Sequence, residues 1–428
     1  MDTNIANNYN YYQWRRQYIV GLILIYEWHK NKKSLQKQNK KRRMWVRDIF
    51  LKRSEQGDYN NLVREMRLGD ISRYHNYLRM SPEQFDYLLS KMEHALAKNN
   101  IVREPIPPGE RLALTIRYLA SGDSMMSMSY SYRVGKSTVS YLVKETCKII
   151  WKCLWQDYLK PPNTEKWKEI SNDFKRVWQM PNCVGAIDGK HVVIQAPPNS
   201  GSDFYNYKGS HSIVLMSICD PFYKFTLVDI GARGRQSDGG ILRNSEMGKK
   251  LIENQLEFPS DCPVEYGGEN IPFYIVGDEA FPLRTNLMRP YPGRLLSQEK
   301  RIFNYRLSRT RRVSENTFGI WVARWRIFRR PINTCLETTE DMIKATICLH
   351  NYLMEGRHEL YCPKNFVDME DANGNITNGL WREEGDSNNV YSSTRMGSNN
   401  TTLNAAKVRS HLTSHFLFDG AVQFQWNK

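Results

Sequence analysis

The spacing of hydrophobic residues divides the chain into a helical first part and a strand-rich second part. From about 45 to 155, apolar residues recur three and four positions apart, which is typical of amphipathic helices. One of these helices should begin at Ser81, because the serine is followed by a proline and, three positions on, by Gln84. The pattern predicts an all-helical region over residues 45–160.

The last three predicted helices of this region have the lengths and spacing of a helix-turn-helix. They cover residues 112–122, 127–132 and 137–150, and a tight turn at 133–136 precedes the last one. In such a motif, the start of the final helix faces the base edges of DNA. The residues that we expect there are Lys136, Ser137, Thr138, Ser140, Tyr141 and Lys144. A helical packing module that does not bind DNA is the alternative.

From Cys183 onward the pattern changes to short runs of β-branched residues, which are typical of strands. The predicted strands cover residues 184–195, 212–219, 225–230 and 273–276. The predicted helices cover residues 241–256, 309–328 and 339–352. Sequential strands followed by helices indicate a mixed α/β sheet that is flanked by helices over residues 161–355.

Three further stretches complete the predicted domain organisation. Residues 1–44 are expected to form a basic N-terminal arm, and 356–402 a flexible segment rich in acidic residues and asparagine. Residues 403–428 are expected to form a C-terminal helix and a tail that packs on the core. The apolar run at 18–26 is about half of the roughly 20 residues that a membrane span requires, so no membrane partner is predicted.

Positive charge is concentrated in two blocks of the chain. The chain has 428 residues and a net charge of +16, yet residues 1–56 alone carry +9 and residues 284–330 carry +11. Such clustering favours a surface that binds a polyanion over a general role in solubility. In the second block arginines alternate with aromatic residues, a mixture suited to DNA phosphates. A solvated tail is the alternative for the first block.

Three acidic residues lie in unusual positions for carboxylates. Asp188 lies inside an apolar strand, where an unpaired acid is costly, and Asp278 follows the end of another strand, where ligands bind in open α/β sheets. Glu315 lies on the arginine-rich helix. Each has an ordinary alternative: a sheet-edge acid for Asp188, a helix cap for Asp278, and an ion pair with Arg311 for Glu315.

Four ordered motifs carry a specific family resemblance. They are GAIDGKHV, IVGDEAFPLRTNLMRPYPG, NYRLSRTRRVSENTFGIWVARWRIF and ICLHNYL, and they extend over roughly residues 183–355. Together they resemble the nuclease domain of PIF/Harbinger-type DDE transposases and of the nucleases derived from them. The helical region and the final FDGAVQFQW also resemble that family.

The resemblance implies an RNase H-like fold with Asp188, Asp278 and Glu315 as the DDE triad. These acids would hold two Mg²⁺ ions, for which Mn²⁺ is a substitute, and oxygen ligands suit both metals. The arginines expected to contact DNA phosphates beside the site are Arg301, Arg306, Arg309, Arg311, Arg312, Arg324 and Arg326. The resemblance also implies a Myb-like DNA-binding partner protein, a homo-oligomer and a nuclear location.

The sequence therefore predicts a DNA transposase that cuts at terminal inverted repeats and joins the ends to target double-stranded DNA. Two alternatives remain open at this point. The first is a host-domesticated nuclease that has lost transposition. The second is a non-catalytic DNA- or chromatin-binding protein that uses the nuclease fold as a scaffold.

Overall fold

The computed structural model describes residues 3–38, 46–99, 104–264, 268–356, 359–371, 374–383, 390–392 and 401–427. The chain forms two compact units, Met1–Ser54 and Glu55–Lys428. The predicted divisions at residues 160 and 355 both fall within the second unit. The first unit consists mainly of one long helix, α1 (Thr3–Gln38). The lysines and arginines at 40–43 of the predicted basic arm lie outside the described residues.

The described helices and strands are as follows. After α1 come α2 (Asp48–Leu51), α3 (Arg53–Gln56), α4 (Arg64–Gly69), α5 (Ile71–Leu78), α6 (Pro82–Leu96), α7 (Pro108–Ser121), α8 (Met125–Ser131), α9 (Lys136–Tyr158), α10 (Thr164–Trp178), α11 (Asp238–Asn244), α12 (Glu246–Ile252), α13 (Gln298–Arg324), α14 (Leu336–Met354), α15 (Leu380–Glu383) and α16 (Leu403–Leu417). A π-helical turn (Tyr59–Val63) and 3₁₀ turns (Arg326–Arg329, Lys364–Phe366, Gln423–Asn427) add to these. The strands are β1 (Cys183–Ile194), β2 (His211–Cys219), β3 (Phe225–Arg233), β4 (Cys262–Pro263), β5 (Asn270–Ile271), β6 (Tyr274–Val276), β7 (Leu287–Met288), β8 (Met369–Glu370), β9 (Ile376–Thr377) and β10 (Val390–Ser392).

The second unit is built on a mixed sheet with the strand order β3-β2-β1-β6-β7. Strands β1, β2 and β3 pair antiparallel, whereas β6 pairs parallel to both β1 and β7. Helices α10 and α13 pack against β1, and α14 packs against β3. The predicted RNase H-like mixed sheet flanked by helices is therefore confirmed.

The helical region that precedes the sheet contains the predicted three-helix arrangement α7, α8 and α9. At the start of α6, Ser81 accepts a hydrogen bond from the backbone of Gln84, whose side chain accepts one from the Ser81 backbone. Helix α9 continues well beyond the predicted end at residue 150 and packs along α14. The helical region and the sheet are therefore joined through a long helix pair.

Part of the predicted flexible segment over 356–402 packs tightly on α13. Phe366 is buried, and the carboxylate of Asp368 accepts hydrogen bonds from the Arg382 guanidinium. Trp381 stacks so close to Gly319 that a Cβ there would lie 2.3 Å from its ring. The prediction is wrong for these residues, because a few apolar and charged anchors hold a stretch of polar composition. Residues 384–389 and 393–400 lie outside the described part.

The first unit has unusual surface properties. Apart from Gly21, every side chain from Trp14 to Lys32 is exposed, including Leu24 at 65% and Tyr26 at 68%. Among the described residues, no helix combines the length and the apolar character that crossing a bilayer demands.

Acid should destabilise the fold through His350, which is fully buried on α14. Its ring lies 2.8 Å from the carbonyl oxygen of Tyr223 and 3.1 Å from the Tyr361 hydroxyl. Burial lowers the pKa of His350 to about 4, so the unfolded chain takes up a proton between pH 6.5 and 4 while the folded chain does not. Stability is therefore fully present above pH 6.5 and falls as the pH decreases towards 4, by at most about 3 kcal/mol.

The measurement is urea unfolding at pH 7 and at pH 5. His350→Gln replaces the imidazole by an amide that can still form hydrogen bonds but does not titrate, so the difference in unfolding free energy between the two pH values should shrink. An equally steep loss of stability in the variant would contradict this assignment.

Candidate active site

Asp188 lies at a break in the pairing of the central strand. On one edge, β6 pairs with β1 as far as Ala186, and β10 begins to pair only at Lys190. Asp188 lies in this interval, and its opposite neighbour on the other edge is Ser217 of β2. The side chain is only 1% exposed, and its Oδ2 atom accepts no hydrogen bond. A buried carboxylate oxygen without a hydrogen-bond donor is costly unless a positive charge lies nearby.

The register of the parallel strands aligns Asp278 with Asp188. Ala186 pairs with Val276, and each aspartate follows its strand's paired residue by two positions. Because side chains alternate along strands, positions two beyond a pair return to the same face of the sheet. Asp278 is buried at 9% exposure, and its Oδ1 accepts a hydrogen bond from the backbone of Ala280 at 2.9 Å. Asp278 thus follows the end of β6 at the same distance from the Ala186–Val276 pair as Asp188 does along β1.

Glu315 lies on α13, the helix that covers this sheet. Its carboxylate lies 3.6 Å from the guanidinium of Arg311, and its side chain is 39% exposed. The ordinary alternative for Glu315, an ion pair one turn along the helix, is thus present. Among the described residues, no three histidine, cysteine, aspartate or glutamate side chains are grouped closely enough to hold a metal ion. The structure does not bring Glu315 into a preformed three-acid cluster with the aspartates.

Lys190 connects the strand of Asp188 with the helix of Glu315. Its ammonium lies 3.6 Å from Asp188 Oδ2 and 5.5 Å from the ring centroid of Phe318 on α13. Phe318 follows Glu315 by three residues, so the two share one face of the helix. The Asp188 carboxylate therefore lies beside a mostly buried cation of the protein itself. Lys190 was not among the residues predicted for the site. Its position two residues after Asp188 on one strand could have indicated that the two side chains lie on the same face.

Removing the Lys190 charge should strengthen metal binding. Two unit charges about 4 Å apart interact by roughly 1 to 4 kcal/mol between water and a protein surface, so Lys190→Met should tighten Mn²⁺ binding about tenfold. Isothermal titration calorimetry without DNA measures this affinity. Lys224→Met removes a similar lysine, 4.0 Å from Asp220, and is the matched control. Equal or weaker affinity in Lys190→Met would contradict a cation site at Asp188.

Several arginines that were predicted to contact DNA are structural instead. Arg306 is 1% exposed and donates hydrogen bonds to the backbone of Gly420 and to the side chain of Gln425. Arg324 is 9% exposed and donates to the carbonyl of Tyr361. The prediction of DNA contact is wrong for Arg306 and Arg324, because both guanidiniums are enclosed by polar groups of the protein.

Two further predicted arginines are largely engaged within the protein. Arg309 and Arg312 both approach the carboxylate of Glu370, at 2.9 and 3.3 Å, and their side chains are only 12% and 11% exposed. Arg311 faces Glu315, and Arg326 is half-buried. Among the seven arginines predicted to contact DNA, Arg301 is the exposed one. The surface that α13 offers to DNA is therefore smaller than its arginine content indicates.

The predicted DNA-facing residues of α9 mostly lie at the surface. Those that are exposed are Lys136, Ser137, Thr138, Ser140 and Tyr141. Lys144 is half-buried, and its ammonium lies 2.7 Å from the carboxylate of Glu337 on α14. The start of α9 thus presents a polar, positively charged face, whereas the position of Lys144 is fixed by the adjacent helix.

The region that contains Asp188, Asp278 and Glu315 is similar to known proteins. Residues 187–351 match the family described as DDE superfamily endonuclease. The chain is 26% identical over 290 residues to the Arabidopsis thaliana protein antagonist of like heterochromatin protein 1, covering 66% of this chain and 73% of that protein. It is 27% identical over 275 residues to an ALP1-like protein of the same plant, covering 60% of this chain and 64% of the relative.

The human nuclease candidate HARBI1 is similar at 24% identity over 278 residues, covering 64% of this chain and 75% of that protein. No solved structure matches the chain significantly. The matched region includes Asp188, Asp278 and Glu315, and for that region the match agrees with the DDE family that the motifs predicted.

Proposed function

We propose that this chain, whose residues 187–351 belong to the DDE superfamily endonucleases, cuts DNA in a reaction that depends on divalent metal ions. The observation that carries the proposal is the pairing of Ala186 with Val276, which aligns Asp188 and Asp278 at a break in the sheet. The buried Oδ2 of Asp188, without a hydrogen-bond donor, supports a cation there.

In this proposal Asp188 and Asp278 would hold Mg²⁺ or Mn²⁺, and Glu315 would join them as the third ligand only after its side chain moves. Bound divalent ions would supply an activated water and stabilise the leaving oxygen of the phosphodiester. Asp188 and Asp278 offer carboxylate oxygens, the ligands that hard cations prefer. For Glu315 to share in this site, its carboxylate has to exchange the Arg311 guanidinium for the ions.

The finer proposal is a DNA transposase that cuts at terminal inverted repeats and joins the ends to target DNA. The exposed start of α9, from Lys136 to Tyr141, supports recognition of double-stranded DNA by the helical region. The exposed side chain of Arg301 on α13 supports a contact with the phosphate backbone of DNA. The basic composition of residues 1–56 supports a nuclear protein.

Two partners belong to the same proposal. A transposase has to hold two DNA ends together, so we propose a homo-oligomer. The Harbinger resemblance supports a Myb-like DNA-binding protein as the second partner.

A domesticated derivative is the second candidate function. The ion pair between Glu315 and Arg311 favours it, because the third acid of the motif is engaged away from a metal-holding cluster. The name of one plant relative refers to antagonism of a heterochromatin protein. A chain of this kind would retain DNA binding, with or without cleavage, and would not transpose.

One experiment separates these functions. Purified protein is incubated with plasmid carrying its element's terminal repeats, with Mg²⁺, with Mn²⁺ or with EDTA, and the cut positions are mapped. Pre-cut ends with a 3′-hydroxyl are then offered with a target plasmid. Cutting at the repeat boundaries and joining support a transposase, and cutting without joining supports a domesticated nuclease. If the protein neither cuts nor joins DNA, the enzymatic proposal is rejected.

A further inference from the structure

A cavity of about 760 Å³ lies beside the loop that carries Asp278. We call it the α11 cavity, because Ser237, Gly239, Gly240 and Arg243 of that helix and its cap form one wall. Ala280 lines the cavity too, and its backbone N–H donates to the Asp278 carboxylate. A Cβ at Gly239 would lie 3.0 Å from the Ala280 carbonyl, so the helix and the aspartate loop are in close contact.

The lining of the α11 cavity suits an anionic, hydroxyl-bearing ligand. Arg243 and Arg284 contribute two positive charges, and none of the described residues that line the cavity is acidic. Ser237 begins α11 without capping it by its side chain, and Thr285 and Thr401 add further hydroxyls. Leucine, isoleucine and proline side chains form the rest of the wall, which leaves apolar surface for a base.

The volume decides what part of DNA such a cavity takes. Pockets of roughly 300–1,000 Å³ hold one small ligand, whereas a duplex cannot enter. Enzymes that act on DNA take single nucleotides out of the stack when a pocket compensates the cost of unstacking. Resting on the proposed nuclease function, we propose that the α11 cavity binds one unpaired nucleotide of the cleaved strand, beside the loop that carries Asp278.

Reversing one charge in the cavity tests this proposal against a closely matched control. Arg243 and Lys249 are both exposed cations in the last turns of neighbouring seven-residue helices, α11 and α12, but only Arg243 lines the cavity. The probe is fluorescein-labelled hexathymidylate, and its dissociation constant is measured by anisotropy in EDTA. Arg243→Glu should weaken binding about tenfold, and Lys249→Glu less than twofold. Equal effects of the two substitutions, or no effect of either, would overturn the proposal.

Photo-crosslinking gives an independent result with the unaltered protein. Hexathymidylate carrying 5-iodouracil should crosslink to the peptide around Ser237–Arg243, and crosslinks confined to other peptides would overturn the proposal. The DNA cleavage assay remains separate. A protein that cuts DNA but shows no difference between Arg243→Glu and Lys249→Glu refutes the cavity alone. A protein that cuts no DNA refutes the nuclease, even where the two variants differ in binding.

Discussion

Asp188→Asn should reduce Mg²⁺-dependent DNA cleavage by at least about a thousandfold. Bound divalent ions stabilise the transition state by several kcal/mol, and about 4 kcal/mol corresponds to three orders of magnitude in rate. The substitution keeps the shape of the side chain but removes the charge that faces Lys190 at 3.6 Å. DNA binding should be retained, because Asp188 is buried in the sheet and offers no surface to phosphates.

The control is a second buried aspartate away from the site. Asp220 lies in the turn after β2, and its Oδ1 accepts hydrogen bonds from the backbones of Phe222 and Lys224. Asparagine keeps an oxygen that can accept these two hydrogen bonds. The Asp220→Asn protein should therefore cut DNA at close to the normal rate. Gel assays of cleavage, with circular dichroism melting of each variant, measure both effects. Normal cleavage by a folded Asp188→Asn protein would remove Asp188 from the mechanism.

Arg306→Met should lower the free energy of unfolding by about 3–5 kcal/mol, the range for breaking a buried charged network. The guanidinium donates to Gly420 and Gln425 near the end of the chain and to the backbone of Gln179 before β1. It also lies 4.5 Å from the ring centroid of Phe416 on α16. Desolvation, together with the nearby charge of Arg309, lowers the pKa of Arg306 to about 10, as expected for a cation enclosed by protein. Urea denaturation measures the loss of stability.

For Arg301→Met, on the same helix, we expect the opposite result: weaker DNA binding with little loss of stability. Arg301 is exposed, so its removal should leave stability within about 0.5 kcal/mol and weaken non-specific DNA binding. The salt dependence of that binding should become shallower by about one counterion. Folded Arg306→Met protein should bind DNA as the unaltered chain does. If Arg306→Met is stable and binds DNA poorly, the assignment of Arg306 to the structural core is wrong.

The sequence predicted the central strands well, because their residues are apolar on both faces. In β1 and β2 nearly every position is buried, so β-branched runs located them to within a residue. Local patterns predicted the ends of helices less well, because contacts with distant parts of the chain determine where those helices begin and end. The helix predicted to begin at 309 begins at Gln298, since Phe303 packs against Phe416 of α16. The single helix predicted over 241–256 is two helices, because Ser245 adopts an extended conformation and caps the second one.

The sequence singled out the two aspartates because each lies within or directly after an apolar strand. Their alignment needed the parallel register of β1 and β6, which strand patterns do not specify. The break in strand pairing beside Asp188 also depends on β10, a strand some two hundred residues later in a segment of polar composition. The exposure of the arginines could not be predicted, since Arg306 is enclosed by residues from two distant parts of the chain, Gln179 and the segment of Gly420 and Gln425.

Iron-directed cleavage of the protein itself tests most directly whether Asp188 and Asp278 hold metal. Fe²⁺ replaces Mg²⁺ at oxygen-ligand sites, and it reduces added hydrogen peroxide to hydroxyl radicals that cut the nearest backbone, while ascorbate returns Fe³⁺ to Fe²⁺. We expect cuts close to residues 188 and 278 that excess Mg²⁺ suppresses and that disappear in Asp188→Asn. Cuts at unrelated positions, or cuts that Mg²⁺ and Asp188→Asn leave unchanged, would contradict a metal site between these two strands.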